Sequence, residues 1–337
     1  MRVRISIVLA ALAVTMVLPG VAAARGGGAA AAAKAEHDRI VAYWTPARMA
    51  AAKPKDYAYD PKVGKIVPFA KPGGGASTGA SWGGNGAIEL RSGKLFFSTS
   101  GGNWQCSASV VSDGSTSNGY SVILTAGHCT YDGSEGWSFN VAYIPDYDDA
   151  PTSACNNTTF GCWTSTRLAV HNDFHPSGFG PDAALEVDYG FMRLGLGGKS
   201  GLTELDSITR LNGTETGVGY TLRTNVAGNT ATQWAFGYPA AGRYKGKDLT
   251  YCTGSTTDDP YDLSTWGMAC NMTGGSSGGP WLIGTTNPAD GTGQLSSVNS
   301  YGYSGLTYMF GPRFDNDTPI VLGDVVDGSA SSVTVLH

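Results

Sequence analysis

Eight short apolar runs recur between residues 95 and 303, each fenced by Gly, Asn, Asp or Ser. They are LFF (95–97), SVILT (121–125), FNVAYI (139–144), RLAV (167–170), YGFMRL (189–194), TQWAFGY (232–238), WLI (281–283) and SVNSYGY (297–303). None is long enough to be the buried face of a helix, and turn residues interrupt the chain after every one. Many short strands with such punctuation predict an all-β sandwich or barrel. The 49 glycines and the low charged fraction, 15%, suit tight turns between strands. Single β domains reach roughly 250 residues, so one domain over 81–337 is expected, in two halves near 81–200 and 201–337. No internal repeat is evident.

The N-terminal part has a different composition. Arg2 and Arg4 precede an apolar stretch, Ile5 to Leu18, and small residues follow at Val21 to Ala24. That is the pattern of a cleaved export signal over 1–24. The apolar stretch is shorter than the ~20 residues a membrane span requires. Residues 25–80 lack cysteine, begin in low complexity, and contain a helix-prone stretch from Lys34 to Ala52. Pro72 to Gly84 (PGGGASTGASWGG) reads as a flexible joint. A segment between an export signal and a loose joint is expected to be a pro-region.

A net charge of −5 argues against a nucleic-acid footprint, which would require a basic face. The six cysteines, at 106, 129, 155, 162, 252 and 270, are an even count in an exported chain, which favours disulfides over metal ligation. Six cysteines allow 15 pairings, so number alone selects none. The expected arrangement joins sequence neighbours: Cys106–Cys129, Cys155–Cys162 and Cys252–Cys270. No metal or other cofactor is expected.

GGSSGGP, Gly274 to Pro280, has the composition of a linker, yet Cys270 precedes it and Trp281-Leu282-Ile283 follows it. SVILTAGHC, Ser121 to Cys129, carries an apolar strand into a small-residue turn bearing His128. Thr125-Ala126-Gly127-His128-Cys129 resembles the histidine motif of the chymotrypsin-like serine peptidases. Gly275-Ser276-Ser277-Gly278-Gly279-Pro280 resembles their nucleophile motif, with Ser277 as the nucleophile. Asp188, leading DYGFMRL, fits the third position, and the order His, Asp, Ser is that of chymotrypsin. Asp182 in PDAAL is a rival. The resemblance, strongest at these motifs and extending from about Gly93 to Gly311, implies two six-stranded antiparallel β-barrels with the active site in the cleft between them. It implies that His128 is the general base and acid, that Asp188 orients it, and that the N–H groups of Gly275 and Ser277 form the oxyanion hole.

Ser276 stands where trypsin and chymotrypsin carry an aspartate, so activation through an ion pair between position 276 and a new N-terminal amine is not expected. Serine there, Phe236-Gly-Tyr-Pro239 and Gly274-Gly275 resemble the bacterial glutamyl endopeptidase branch. By the family pattern the substrate pocket comprises Asn271, Asn299, Ser300, Tyr301 and Gly302. Asn299 occupies the position where that branch has a histidine, so an uncharged or mildly polar substrate side chain is expected instead of glutamate.

Two histidines four apart, His171 and His175, have zinc spacing on a helix, but Pro176 and the lack of a glutamate between them favour a loop. Tyr147-Asp148-Asp149 and Asp315-Asn316-Asp317 read as solvated turns before calcium ligands. Asn156, Asn157, Asn212, Asn271 and Asn316 begin N-x-Ser/Thr matches, which turn-rich chains produce by chance. The expectation is a secreted, monomeric serine endopeptidase acting on polypeptides, with its own pro-region as a partner. The alternative is an inactive relative that only binds.

Overall fold

The structure is a computed structural model that describes residues 21–60, 65–68, 79–147, 154–174, 181–210, 213–228, 231–261 and 263–337. The expected export signal lies outside this set up to residue 20. Twelve strands make the frame. In the first half they are β1 (Ser92–Thr99), β2 (Gly102–Val111), β3 (Ser121–Thr125), β4 (Phe139–Pro145), β5 (Trp163–His171) and β6 (Gly190–Leu194). In the second they are β7 (Thr232–Gly237), β8 (Thr250–Ser255), β9 (Thr265–Ala269), β10 (Pro280–Ile283), β11 (Gln294–Val298) and β12 (Tyr308–Pro312).

The first six run in the order β2-β1-β4-β5-β6-β3, and β3 pairs back with β2, closing an antiparallel barrel. Its interior is filled by Leu95, Phe97, Ile123, Val141, Trp163 and Met192, all essentially inaccessible to solvent. Leu95 and Phe97, two apart on β1, show the alternation the pleat demands. The second six form two sheets, β11-β10-β7-β8 and β9-β12, which meet where β8 packs on β9 and β11 on β12. Between them lie Ala235, Trp266, Met268 and Trp281. The fold is the all-β, two-barrel arrangement of the chymotrypsin-like proteases. All three disulfides join sequence neighbours, as expected.

Three expectations need correction. SVNSYGY is two strands, because the chain turns after Val298 and resumes as a short edge strand, Tyr301–Tyr303. The end of the second half returns to the first: helix Thr318–Asp327 packs on β5 and β6, and Thr334–Leu336 pairs with β5. The apolar face of that helix, Val321 and Val325, finds its cover there. Finally, the expected flexible joint is anchored at its far end. Ala80–Ser81 pairs with β8, and Trp82 packs edge-on against Trp234, Phe236 and Tyr251. Residues 72–78 of it lie outside the described residues.

The N-terminal segment is ordered against the domain. Helix Val21–Tyr43 and helix Pro46–Ala51 lie on the first barrel, with Ile40, Trp44, Met49 and Ala52 buried in the core around Phe96. Thr45 caps the second helix by accepting the Arg48 N–H. No helix among the described residues is long and apolar enough to cross a membrane.

Candidate active site

His128 sits where β3 ends in a short helical turn, Gly127–Thr130. Cys129, bonded to Cys106 on β2, fixes the backbone beside it. Asp188 lies two residues before β6, the neighbour of β3, so the two residues emerge side by side at one end of the barrel. His128 Nδ1 is 2.7 Å from Asp188 Oδ2, and the His128 backbone N–H donates to Asp188 Oδ1 at 2.8 Å. Both side chains are buried. A Cβ at position 127 would fall 2.9 Å from Asp188 Oδ1, so glycine there lets the carboxylate close on the turn. Ser300 Oγ donates to Asp188 Oδ2 at 2.5 Å. The Asp188 carboxylate thus lies within hydrogen-bond distance of three groups, two from His128 and one from Ser300. Of the two candidate acids, Asp188 is the one on which His128 rests; Asp182 stands on helix Pro181–Glu186.

GGSSGGP is no linker. It is a tight loop leading into β10, threaded between the barrels, and all of Gly274 to Pro280 is buried. Gly275 has φ +97° and Gly278 φ +81°, left-handed values that favour glycine. A Cβ on Gly278 would collide with Thr125 Oγ1 and approach the Ala126 amide, so this loop lies directly against the turn bearing His128. The N–H groups of Ser276, Gly278 and Gly279 are taken by the carbonyls of Thr273, Asn299 and Ser276. Among the described residues, the Gly275 and Ser277 N–H groups have no acceptor. Gly275 and Ser277, separated by one residue, thus keep unclaimed N–H donors in a buried loop.

Ser107, which sequence reasoning missed, latches the halves together. Its N–H donates to the Ser277 carbonyl at 2.8 Å and its Oγ to the Gly275 carbonyl at 2.8 Å. The same Oγ accepts the Tyr238 N–H at 2.8 Å. One serine on β2 thereby sets the position of the nucleophile loop. Nothing in the local sequence SAS marks it, because its partners lie 131 to 170 residues away by number, from Tyr238 to Ser277 (277 − 107 = 170).

The residues expected to line the pocket divide. Asn299 has both amide N–H groups committed, to the carbonyls of Phe236 (2.7 Å) and Ser276 (3.0 Å), while its Oδ1 accepts from Trp281 Nε1 (2.8 Å). It ties three segments together and has no donor left for a substrate carboxylate. Ser300 spends its hydroxyl on Asp188. Tyr301 and Tyr303 both donate to the buried Asp259, which pins the edge strand that contains Gly302. Asn271 Oδ1 accepts the Gly79 N–H at 2.9 Å and the Tyr244 hydroxyl at 2.7 Å. Ser276 Oγ donates to the Thr273 carbonyl, so its hydroxyl is occupied within its own loop.

Cys106, His128 and Cys129 lie close enough to hold a metal ion, but both sulfurs are spent in a disulfide. His171 ends a strand, with its Nδ1 accepting the Asp173 N–H; His175 and Asp148-Asp149 lie outside the described residues. Asp315 Oδ1 accepts the N–H groups of Asp317 and Thr318, a turn that starts the C-terminal helix.

Among solved structures, the chain is similar to the thermostable serine protease AL20 from an extremophilic microorganism: 31% identity, TM-score 0.55, covering 73% of this chain and 100% of that one. It is similar also to the protease Anisep from Arthrobacter nicotinovorans, at 30% identity and TM-score 0.53, covering 74% of this chain and 99% of that one. A Glu endopeptidase structure shares the fold at 20% identity and TM-score 0.50, over 76% of this chain and 99% of that one. No family model matches the sequence, and no curated protein does. The chain belongs to the chymotrypsin-like serine proteases.

Proposed function

We propose that the protein is an exported serine endopeptidase with Ser277 as nucleophile, His128 as general base and acid, and Asp188 as the group that orients the imidazole. The observation that carries this reading is the buried 2.7 Å contact of His128 Nδ1 with Asp188 Oδ2, beside the loop of Ser277. The carboxylate holds the proton on Nδ1 and leaves Nε2 as acceptor. Ser277 Oγ attacks the scissile carbonyl carbon and its proton passes to Nε2. The carbonyl oxygen becomes an oxyanion that takes the N–H groups of Gly275 and Ser277. The C–N bond then breaks, the amine leaves with the proton from Nε2, and the acyl group remains on Ser277. Water repeats the sequence: Nε2 takes its proton, the ester bond breaks, and Ser277 recovers its hydrogen.

In this reading residues 1–24 are an export signal and 25–80 a pro-region, leaving a monomeric domain from about 81 to 337 that acts on polypeptides. The committed amide of Asn299 argues against glutamate recognition at that position and supports an uncharged or mildly polar substrate side chain. An active-site serine phosphonate tests the chemistry: it labels the protein at Ser277, and Ser277→Ala lowers kcat by a factor on the order of 10⁶, the magnitude seen in subtilisin. A folded protein that neither labels nor hydrolyses is the inactive binder instead. Profiling cuts in a peptide library tests the pocket; a dominant Glu, Lys or Arg before the cut would overturn the specificity.

A further inference from the structure

We propose that residues 53–60 hold this protease off by lying across its cleft in the direction opposite to a substrate, with Lys55 as the clamp; the proposal rests on the serine peptidase reading above. The segment meets both halves of the cleft. Lys53–Pro54 pairs with Trp104–Gln105 on β2, and Tyr57–Asp60 pairs with the edge strand Tyr301–Tyr303. Between them, the Lys55 carbonyl lies 3.9 Å from Cys106 Sγ, in the disulfide beside His128. The carboxylate of Asp56 rests on the Gly274 backbone, where a Cβ would fall 2.6 Å from Asp56 Oδ2. The crossing point is therefore the nucleophile loop itself.

The chemistry fixes how a substrate must run. Its acyl half stays bonded to Ser277, on the second barrel. Its leaving amine collects a proton from His128, on the first, and so departs along Cys106 and β2. A substrate thus passes, N to C, from Tyr301–Tyr303 toward Trp104–Gln105. The segment passes, N to C, from Trp104–Gln105 to Tyr301–Tyr303. Both of its pairings with the domain are parallel, whereas the remaining neighbours in these sheets are antiparallel. A reversed peptide can satisfy the ladder of an exposed edge strand. It cannot, however, present a carbonyl carbon to Ser277 with its oxygen toward Gly275 and its nitrogen toward His128. Occupancy without turnover follows.

Lys55 explains why such a strand stays. Its Nζ lies 2.8 Å from Asp132 Oδ2 and 2.7 Å from Glu135 Oε2, and 4.3 Å from the centre of the Trp104 ring. The Lys55 side chain is only 5% exposed, so the pair is well shielded from water and salt. Its N–H donates to the Gln105 carbonyl, and Gln105 Nε2 donates to the Ala52 carbonyl. The hairpin partner Lys65–Pro68 extends the same sheet by one more strand.

The test compares full-length chains. Wild type is expected to react slowly with the serine phosphonate, and Lys55→Ala at least 10-fold faster, while Lys55→Arg stays slow. Ala58→Pro removes a backbone N–H from the segment without touching the domain, and is expected to react faster as well. A synthetic peptide of residues 51–60, added to the full-length Lys55→Ala protein, is expected to inhibit it and to remain uncut by mass spectrometry. Equal rates for wild type and both disrupting variants, or cleavage of the peptide within 53–60, overturn the reversed clamp and leave the peptidase reading standing. Absence of labelling in every chain overturns the peptidase reading, and the clamp with it.

Discussion

The two halves solve the edge problem of a β-sheet differently. The first six strands close, with β3 hydrogen-bonded to β2, and have no free rim at the level of His128 and Asp188. The second half leaves Tyr301–Tyr303 as an edge, which the N-terminal segment covers. A closed barrel suits groups that must not move, and it holds His128 and Asp188 on paired neighbouring strands. An open edge, where uncovered, offers its N–H and C=O groups to another peptide backbone. A rigid rim and an open ladder thus fall in different halves.

That division can be broken or sharpened by experiment. The largest effect is expected in the rigid half. Asp188→Asn keeps the shape but disturbs the imidazole tautomer, and kcat should fall by about 10⁴; steady-state kinetics decides, and a loss below tenfold would show that the acid lies elsewhere. At the junction, Ser107→Ala removes the latch on the nucleophile loop. It leaves the Tyr238 N–H without its buried acceptor, so thermal unfolding should report a loss of about 1–3 kcal/mol. On the open side, Asp259→Asn loosens the tyrosines that pin the edge strand. KM for a protein substrate should rise several-fold, at about 1.4 kcal/mol per tenfold, with kcat nearly unchanged. An equal fall in kcat would place Asp259 in the chemistry.

A last effect, read as a slope against pH, concerns the contact between the halves. Lys94, on β1, is buried and reaches across to the carbonyl of Gly246, and burial pushes its pKa down to about 7. The unfolded chain keeps that proton until about 10.4. Between those values the unfolded state binds more protons, so stability rises with pH, by at most ~1.4 kcal/mol per pH unit. Below about 7 both states carry the proton and this dependence vanishes. Denaturant titrations across pH 7–10 should show the slope in wild type and lose it in Lys94→Met.

Much of the frame was legible because it is local. Turn residues cut the chain into short runs, and β3, β4, β7 and β10 fall within a residue of the runs read from the sequence. Strands such as β2, whose sequence GNWQCSASVV mixes polar and apolar residues, carried no such signal. The three motif residues were proposed from family resemblance, and two glycines of those motifs have a local reason: glycine at 127 lets Asp188 approach, and glycine at 278 lets Thr125 approach. Ser107, and the commitment of Ser300 to Asp188, were not, since a lone serine has no periodicity and its partner is chosen by packing. The commitment of the Asn299 amide to the carbonyls of Phe236 and Ser276 was equally illegible, since both acceptors are set by packing.

Sequence alone determined the all-β class and offered the residues proposed for acyl transfer, because local turn geometry and side-chain chemistry are written residue by residue. Tertiary structure alone decided which serine latches the barrels, that the C-terminal helix returns to the first half, and that Lys55 of the N-terminal segment meets Asp132 and Glu135. Such contacts join residues far apart in the chain. Their free energy exists only once the intervening loops have closed, so no short stretch of sequence can announce them.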